Sequence, residues 1–122
     1  MLAELKRLLP GFSIYENSEK IDIYQPYDVE LRVTIKKKTD SYYLFALHRG
    51  DTMFFTSVIN SNEAMVCAYF LVGKYLSCDP KPHAKRIRKN VLFYHKELSK
   101  KMKCPPSIET VQDLYMQIWD LP

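Results

Sequence analysis

The side chains that could hold a metal ion or attack a substrate are Cys78, His83, His95 and Cys104. By composition they make a zinc set. Zinc sites usually take a closely spaced pair such as Cys-x-x-Cys, because two ligands from one tight turn reach adjacent corners of a tetrahedron. Neither cysteine has such a neighbour, and His95 would have to reach in from the middle of a helix. The spacing reads as loop cysteines and exposed histidines, and no metal is expected. The same residues match a Cys–His nucleophile pair in composition only, since nothing in the spacing brings thiol and imidazole together.

Paired carboxylates are no better placed for chemistry. Asp22, Asp28 and Glu30 lie on or beside strands and alternate with apolar positions, as on a solvent-facing sheet surface. General acid–base work needs a cleft that shifts a pKa, and this spacing predicts none. Phosphate-cradling loops need several glycines close together, whereas Gly11, Gly50 and Gly73 are the only three and stand far apart. No nucleotide or dinucleotide cofactor is expected. Arg49-Gly50-Asp51 spells a cell-adhesion tripeptide, but it separates two strand-like runs. It therefore reads as a hairpin turn, with Gly and Asp supplying the special backbone angles. Together these readings predict binding rather than catalysis.

The elements that carry these residues can be read from periodicity. The 122 residues suit a single α+β domain, 1–122. Leu2, Leu5, Leu8 and Leu9 recur at helical spacing, and Pro10-Gly11 ends that short helix. Strands follow over 12–16, 20–25, 29–38, 42–49 and 52–59, joined by turns too short for a helix, so the sheet is an antiparallel meander of four to five strands. In 29–38, Val29, Leu31, Val33 and Ile35 alternate with polar residues and predict one buried face. The last two strands are apolar on both faces in places, which predicts that they are central or covered on the second face by a helix.

Three helices close the chain. Asn60 caps the first, with Glu63 three residues on, and its segment 61–76 is apolar nearly all round, so it should lie buried across the sheet. Ala84, Ile87, Val91, Tyr94, Leu98 and Met102 mark an amphipathic helix over 83–103. Cys104-Pro105-Pro106 stops it, and Ser107 caps a last helix with Ile108, Val111, Leu114, Tyr115, Ile118 and Trp119 as its apolar side.

Charge is uneven within the net +4. Residues 73–105 carry ten basic and two acidic groups, and residues 106–122 carry three acidic groups and no basic one. Lys85, Lys89, Lys96 and Lys100 fall on one stripe of the 83–103 helix. Such a stripe attracts nucleic acid, an acidic protein or an anionic surface; otherwise it is a solvated face offset by the acidic last helix. Along the chain the aromatics do not interleave with the basic residues as a nucleic-acid stacking platform would.

No apolar stretch of the secretory type follows Met1, and the longest apolar run, 64–72, is shorter than the roughly 20 residues needed to cross a bilayer. Three cysteines, an odd number without tight spacing, argue against a disulfide framework. Cys67, mid-helix among apolar neighbours, reads as a small core residue. These features predict a cytoplasmic protein with no membrane contact. Tyr15, Tyr24, Tyr27 and Tyr42 lie in the first strands and turns, where they either reach the outer sheet face as partner contacts or pack under the first helix.

One segment resembles a known family. Thr52 to Leu71 contains Phe54-Phe55, then Val58-Ile59-Asn60-Ser61-Asn62-Glu63-Ala64, then Cys67-Ala68-Tyr69-Phe70-Leu71. This strand-to-helix junction resembles that of small bacterial immunity proteins from polymorphic-toxin and contact-dependent inhibition systems. The resemblance covers about a sixth of the chain and implies a non-enzymatic protein that neutralises a cognate toxin by direct protein binding; a monomer or weak dimer is expected. The expected contacts are Tyr24 and Tyr27 of the early sheet and Glu109, Asp113 and Asp120 of the acidic last helix. The alternative is a small nucleic-acid-binding or phage-type regulatory protein that uses Lys85, Lys89, Lys96 and Lys100 of the basic helix.

Overall fold

Alternation builds the sheet first. A computed structural model describes all 122 residues. Five strands, β1 (Ser13–Glu16), β2 (Lys20–Gln25), β3 (Asp28–Lys37), β4 (Tyr42–His48) and β5 (Asp51–Val58), pair in sequence order as one antiparallel sheet. Ile23, Val33 and Ala46 are register neighbours and are sealed on one face, as are Ile21, Ile35 and Leu44. Val29 does not join them and is exposed. The reason is register: β3 pairs with β4 only from Leu31 onward, so Val29 overhangs β4, and against β2 it lies in the bulge between the Gln25–Asp28 and Tyr24–Arg32 pairs.

The packed face carries all the helices. Helix α1 (Leu2–Leu8) buries Leu5 and Leu8, and α2 (Ser61–Leu71) crosses the sheet behind β3, β4 and β5. The Asn60 side chain accepts the Glu63 N–H at 2.8 Å, which satisfies one of the free donors at the start of α2. Helices α3 (Ile87–Lys101) and α4 (Ile108–Trp119) pack on each other, and α4 packs on α2. One core of 26 buried residues joins the sheet face to all four helices. A layer of rings centres it: Phe70 lies 5.4 Å from Tyr94 and 5.3 Å from Tyr115, both near edge-to-face.

The helix expected to run to Leu76 does so, but its last five residues widen into a π turn, Val72–Leu76, closed by Ser77 N–H to Val72 C=O. Two hydrogen bonds fasten this turn. Gln25 Nε2 donates to Leu76 C=O at 2.6 Å, and Lys74 Nζ donates to Ile118 C=O at 2.7 Å. Gly73 lies in the same turn, and a Cβ there would stand 2.9 Å from the Asp79 carboxylate. Glycine thus lets the chain after the turn fold back against it. The helix read over 83–103 is split in the structure: a 3-10 turn, Ala84–Arg86, is capped by His83, and α3 proper begins at Ile87.

The β4–β5 hairpin corrects one detail. His48 pairs with Asp51 across a two-residue loop, and positive φ falls on Arg49 (53°) and Gly50 (85°), not on Asp51. Two positive angles suit the right-handed twist of a hairpin. Arg49 is held in this unfavourable region by Glu30, whose carbonyl accepts the Arg49 N–H and whose carboxylate accepts Nε, both at 3.0 Å. The left-handed angle costs an ordinary residue about 1–2 kcal/mol. An exposed ion pair contributes under about 1 kcal/mol. Arg49→Asn should therefore unfold at an equal or higher urea midpoint, gaining up to about 1 kcal/mol. A loss above about 1 kcal/mol would mean that the clamp to Glu30, not the turn angles, holds the hairpin.

Candidate interaction surfaces

The second face of the sheet carries no helix. By alternation from the packed positions it presents Tyr15, Lys20, Asp22, Tyr24, Arg32, Thr34, Lys36, Tyr43, Phe45, Leu47 and Phe55. The two-sided apolarity of β4 and β5 thus does not mean cover on both faces. β5 is an edge strand, and Phe55 is 52% exposed. Three rings form a patch: Phe55 lies 5.0 Å from Phe45 and 5.6 Å, edge-on, from Tyr43. Lys36 Nζ stands 5.6 Å from the Phe45 centroid and Lys38 Nζ 5.9 Å from that of Tyr43, within cation–π reach. Aromatic and basic groups therefore do interleave, across strands rather than along the chain.

Asp22 departs from the expectation of a solvated sheet carboxylate. It is only 6% exposed. Its Oδ1 accepts the Thr34 hydroxyl at 2.6 Å, and its Oδ2 lies 3.5 Å from Lys20 Nζ and 3.8 Å from Arg32 Nη1. Cross-strand neighbours close over it: Thr34 stands opposite on β3, and Thr34 is itself covered. Asp22 thus pins two cations to the middle of the open face. Asp28 turns its carboxylate to the Glu30 N–H at 3.1 Å, and Glu30 remains exposed.

The helical side offers a second surface. Lys85, Lys89, Lys96 and Lys100 are all exposed, and exposed Leu92 and Phe93 lie among them on α3. Lys100 pairs with Glu97 on its own helix at 3.5 Å. None of these lysines makes an ion pair with Glu109, Asp113 or Asp120, so α4 does not offset the stripe by direct contact. A groove of about 690 Å³ separates the helices, with Lys85 and Arg88 on one wall and Glu109 on the other.

The five expected contact residues are divided between two sides. Tyr24 is half-buried on the open sheet face, and Tyr27, 83% exposed, stands on the β2–β3 turn at its rim. Glu109 and Asp113 are exposed on α4, across the sheet from both tyrosines, and Asp120 caps that helix with φ 54°. Tyr15 reaches the open face, whereas Tyr42 packs against the core. The Phe45–Phe55–Tyr43 patch was not among the expected contacts. The signal that could have found it was the apolar residue on the wet side of β4 and β5.

No three His, Cys, Asp or Glu side chains gather as metal ligands. His83 Nδ1 accepts the Lys85 N–H at 3.4 Å as a cap. Cys78 and Cys104 are exposed, while Cys67 is sealed in α2, where burial pushes its thiol up to about 12. No helix is long and apolar enough to cross a membrane. Comparison with protein-family models, with curated proteins and with solved structures gave no match to this chain.

Two outcomes test this description. Asp22→Ala strands the Thr34 hydroxyl and frees Lys20 and Arg32, and should cost about 1–3 kcal/mol in denaturant unfolding. Asp22→Asn can still accept from Thr34 and should cost less; equal costs would contradict the anchoring. Separately, a thiol reagent at mildly alkaline pH should titrate Cys78 and Cys104 in the native protein and Cys67 only in denaturant. Reaction of all three native thiols at one rate would contradict the sealed position of Cys67.

Proposed function

We propose that this chain is a non-enzymatic immunity protein that neutralises a cognate bacterial toxin by direct binding through the open face of its sheet. The observation that carries this reading is the exposed Phe55 flanked by Phe45 and Tyr43, with Lys36 and Lys38 over the rings. Aromatic anchors on a rigid sheet lose little side-chain freedom on binding and dominate the energy of many interfaces. The flanking lysines, with Lys20 and Arg32 beyond, suit a toxin surface rich in carboxylates. Tyr24 and Tyr15 extend the contact, and Tyr27 adds a rim residue. The junction from β5 through Asn60 into α2 is the segment that resembles immunity proteins.

A second reading, a small nucleic-acid-binding or phage-type regulatory protein, is favoured by the unbroken exposure of Lys85, Lys89, Lys96 and Lys100 on the α3 side. Nucleic acid held by such a stripe would weaken steeply with salt.

Phe55→Asp separates the readings, because Phe55 is exposed and its loss leaves the core intact. Co-expressed with its cognate toxin, this variant should lose affinity by at least about 2 kcal/mol, roughly 30-fold, and should no longer protect cells. Full protection by Phe55→Asp, with salt-sensitive DNA or RNA binding that Lys89→Glu and Lys96→Glu abolish, would replace the first reading by the second.

A further inference from the structure

A cavity of about 170 Å³ lies on the helical side of the sheet, where α1, the π turn and α3 meet the end of α4. Its walls include Phe12, Tyr69, Phe70, Tyr94 and Trp119, and Asp79 is their solvent-exposed companion. Residues from five separated stretches of chain thus converge on one space. Tyr69 and Tyr94 stand 6.0 Å apart at 75°, and Phe70 and Tyr94 5.4 Å apart at 82°, so these rings pack edge-to-face on one another as one continuous aromatic wall. The face of such a ring attracts a cation that stands within about 6 Å of its centroid.

Charge favours the same ligand. No Lys, Arg or His lines the cavity. Asp79 has no ion-pair partner, and its carboxylate is held against the Gly73 backbone, where a Cβ would collide with it. Lys74 does not line the cavity, but it keeps its charge beside one wall: Nζ donates to Ile118 C=O and lies 5.1 Å from the Tyr75 ring and 5.7 Å from that of Trp119. Burial, and after it the charge of Asp79, raises the Tyr94 hydroxyl above its ordinary range. In Tyr69 burial leads, followed by Tyr94, Glu97 and Asp79. Drug-sized ligands fill roughly 300–1,000 Å³, so this space takes a small headgroup or one side chain.

We propose that this aromatic cavity binds an organic ammonium cation, with Asp79 as its counter-ion and Tyr69, Tyr94 and Trp119 as its walls. Two sources share that chemistry, a free small quaternary ammonium and the lysine side chain of a protein partner. The proposal does not rest on the toxin reading.

Trp119 is the chain's single tryptophan, so its fluorescence reports on the cavity without a label. Choline and blocked N-acetyl-lysine methylamide should be titrated against 3,3-dimethyl-1-butanol, the uncharged isostere of choline. At least one cation should give a saturable change in about the millimolar range, with the alcohol at least about tenfold weaker. Tighter binding of choline assigns the cavity to a free ammonium compound, and tighter binding of the blocked lysine to a partner's side chain. Asp79→Asn, an exposed change that keeps the rings, should weaken the cation about tenfold and leave the alcohol unchanged. Tyr94→Leu should lower cation binding as well, with a thermal melt run alongside to confirm that the variant is folded. Equal binding of choline and its isostere, no response to either cation, or an Asp79→Asn variant that binds the cation as wild type does would overturn the proposal.

Discussion

Helix α2 must be covered on every side, and the rest of the molecule is arranged to do so. Ala64, Met65, Val66, Cys67, Ala68, Phe70 and Leu71 are all buried, and the other four residues of this helix are half-buried, so no part of it stands fully in solvent. Each large side chain among them contributes about 1.5–3 kcal/mol when fully buried. The sheet covers one side through Val33, Ile35 and Leu44, and α1, α3 and α4 complete the enclosure. All four helices are committed to that task on one face of the sheet. None is left for the other face, and the exposure of Phe55, Phe45 and Tyr43 follows from it.

An open sheet face that carries rings and cations needs internal order to act as a surface of defined shape. The Asp22–Thr34 bond and the approach of Lys20 and Arg32 to the same carboxylate supply it at the centre. The ring contacts from Phe55 to Phe45 and Tyr43 supply it at the β5 edge. The helical side is ordered differently, by buried rings around Tyr94 and by bonds such as Asn90 Nδ2 to the Tyr115 hydroxyl at 3.1 Å and Gln117 Nε2 to Thr56 Oγ1 at 2.8 Å. The molecule therefore presents two distinct surfaces, one basic and aromatic on strands, the other basic on α3 beside the acids of α4.

The fold was largely legible because its periodicities are strong. The strands β2 to β5 lie within a residue or so of their expected spans, and the caps at Asn60 and Ser107 hold as read. What failed to appear in the linear order is what depends on pairing across strands. Asp22 looked solvated because alternation gives its face but not its neighbours. Lys36 and Phe45 lie on different strands, so the chain order hides their approach. Apolar residues on both sides of β4 and β5 were read as burial, although the same pattern marks an exposed patch. The π turn was hidden because hydrophobic residues continue through it, and the cavity by Trp119 because its walls come from distant segments. For function the sequence offered only absent motifs and the resemblance of one junction, and both remain the basis of a proposal.

Hydroxyl-radical footprinting of the chain, free and in complex with the cognate toxin that the proposed function requires, is the sharpest check on the open-face proposal, because it reads side-chain exposure on both surfaces at once. Binding through the open face should lower the oxidation of Phe55, Tyr43 and Tyr15 in the complex and leave that of Leu92 and Phe93 on α3 unchanged. Protection of Leu92 and Phe93 with Phe55 still fully oxidised would contradict it.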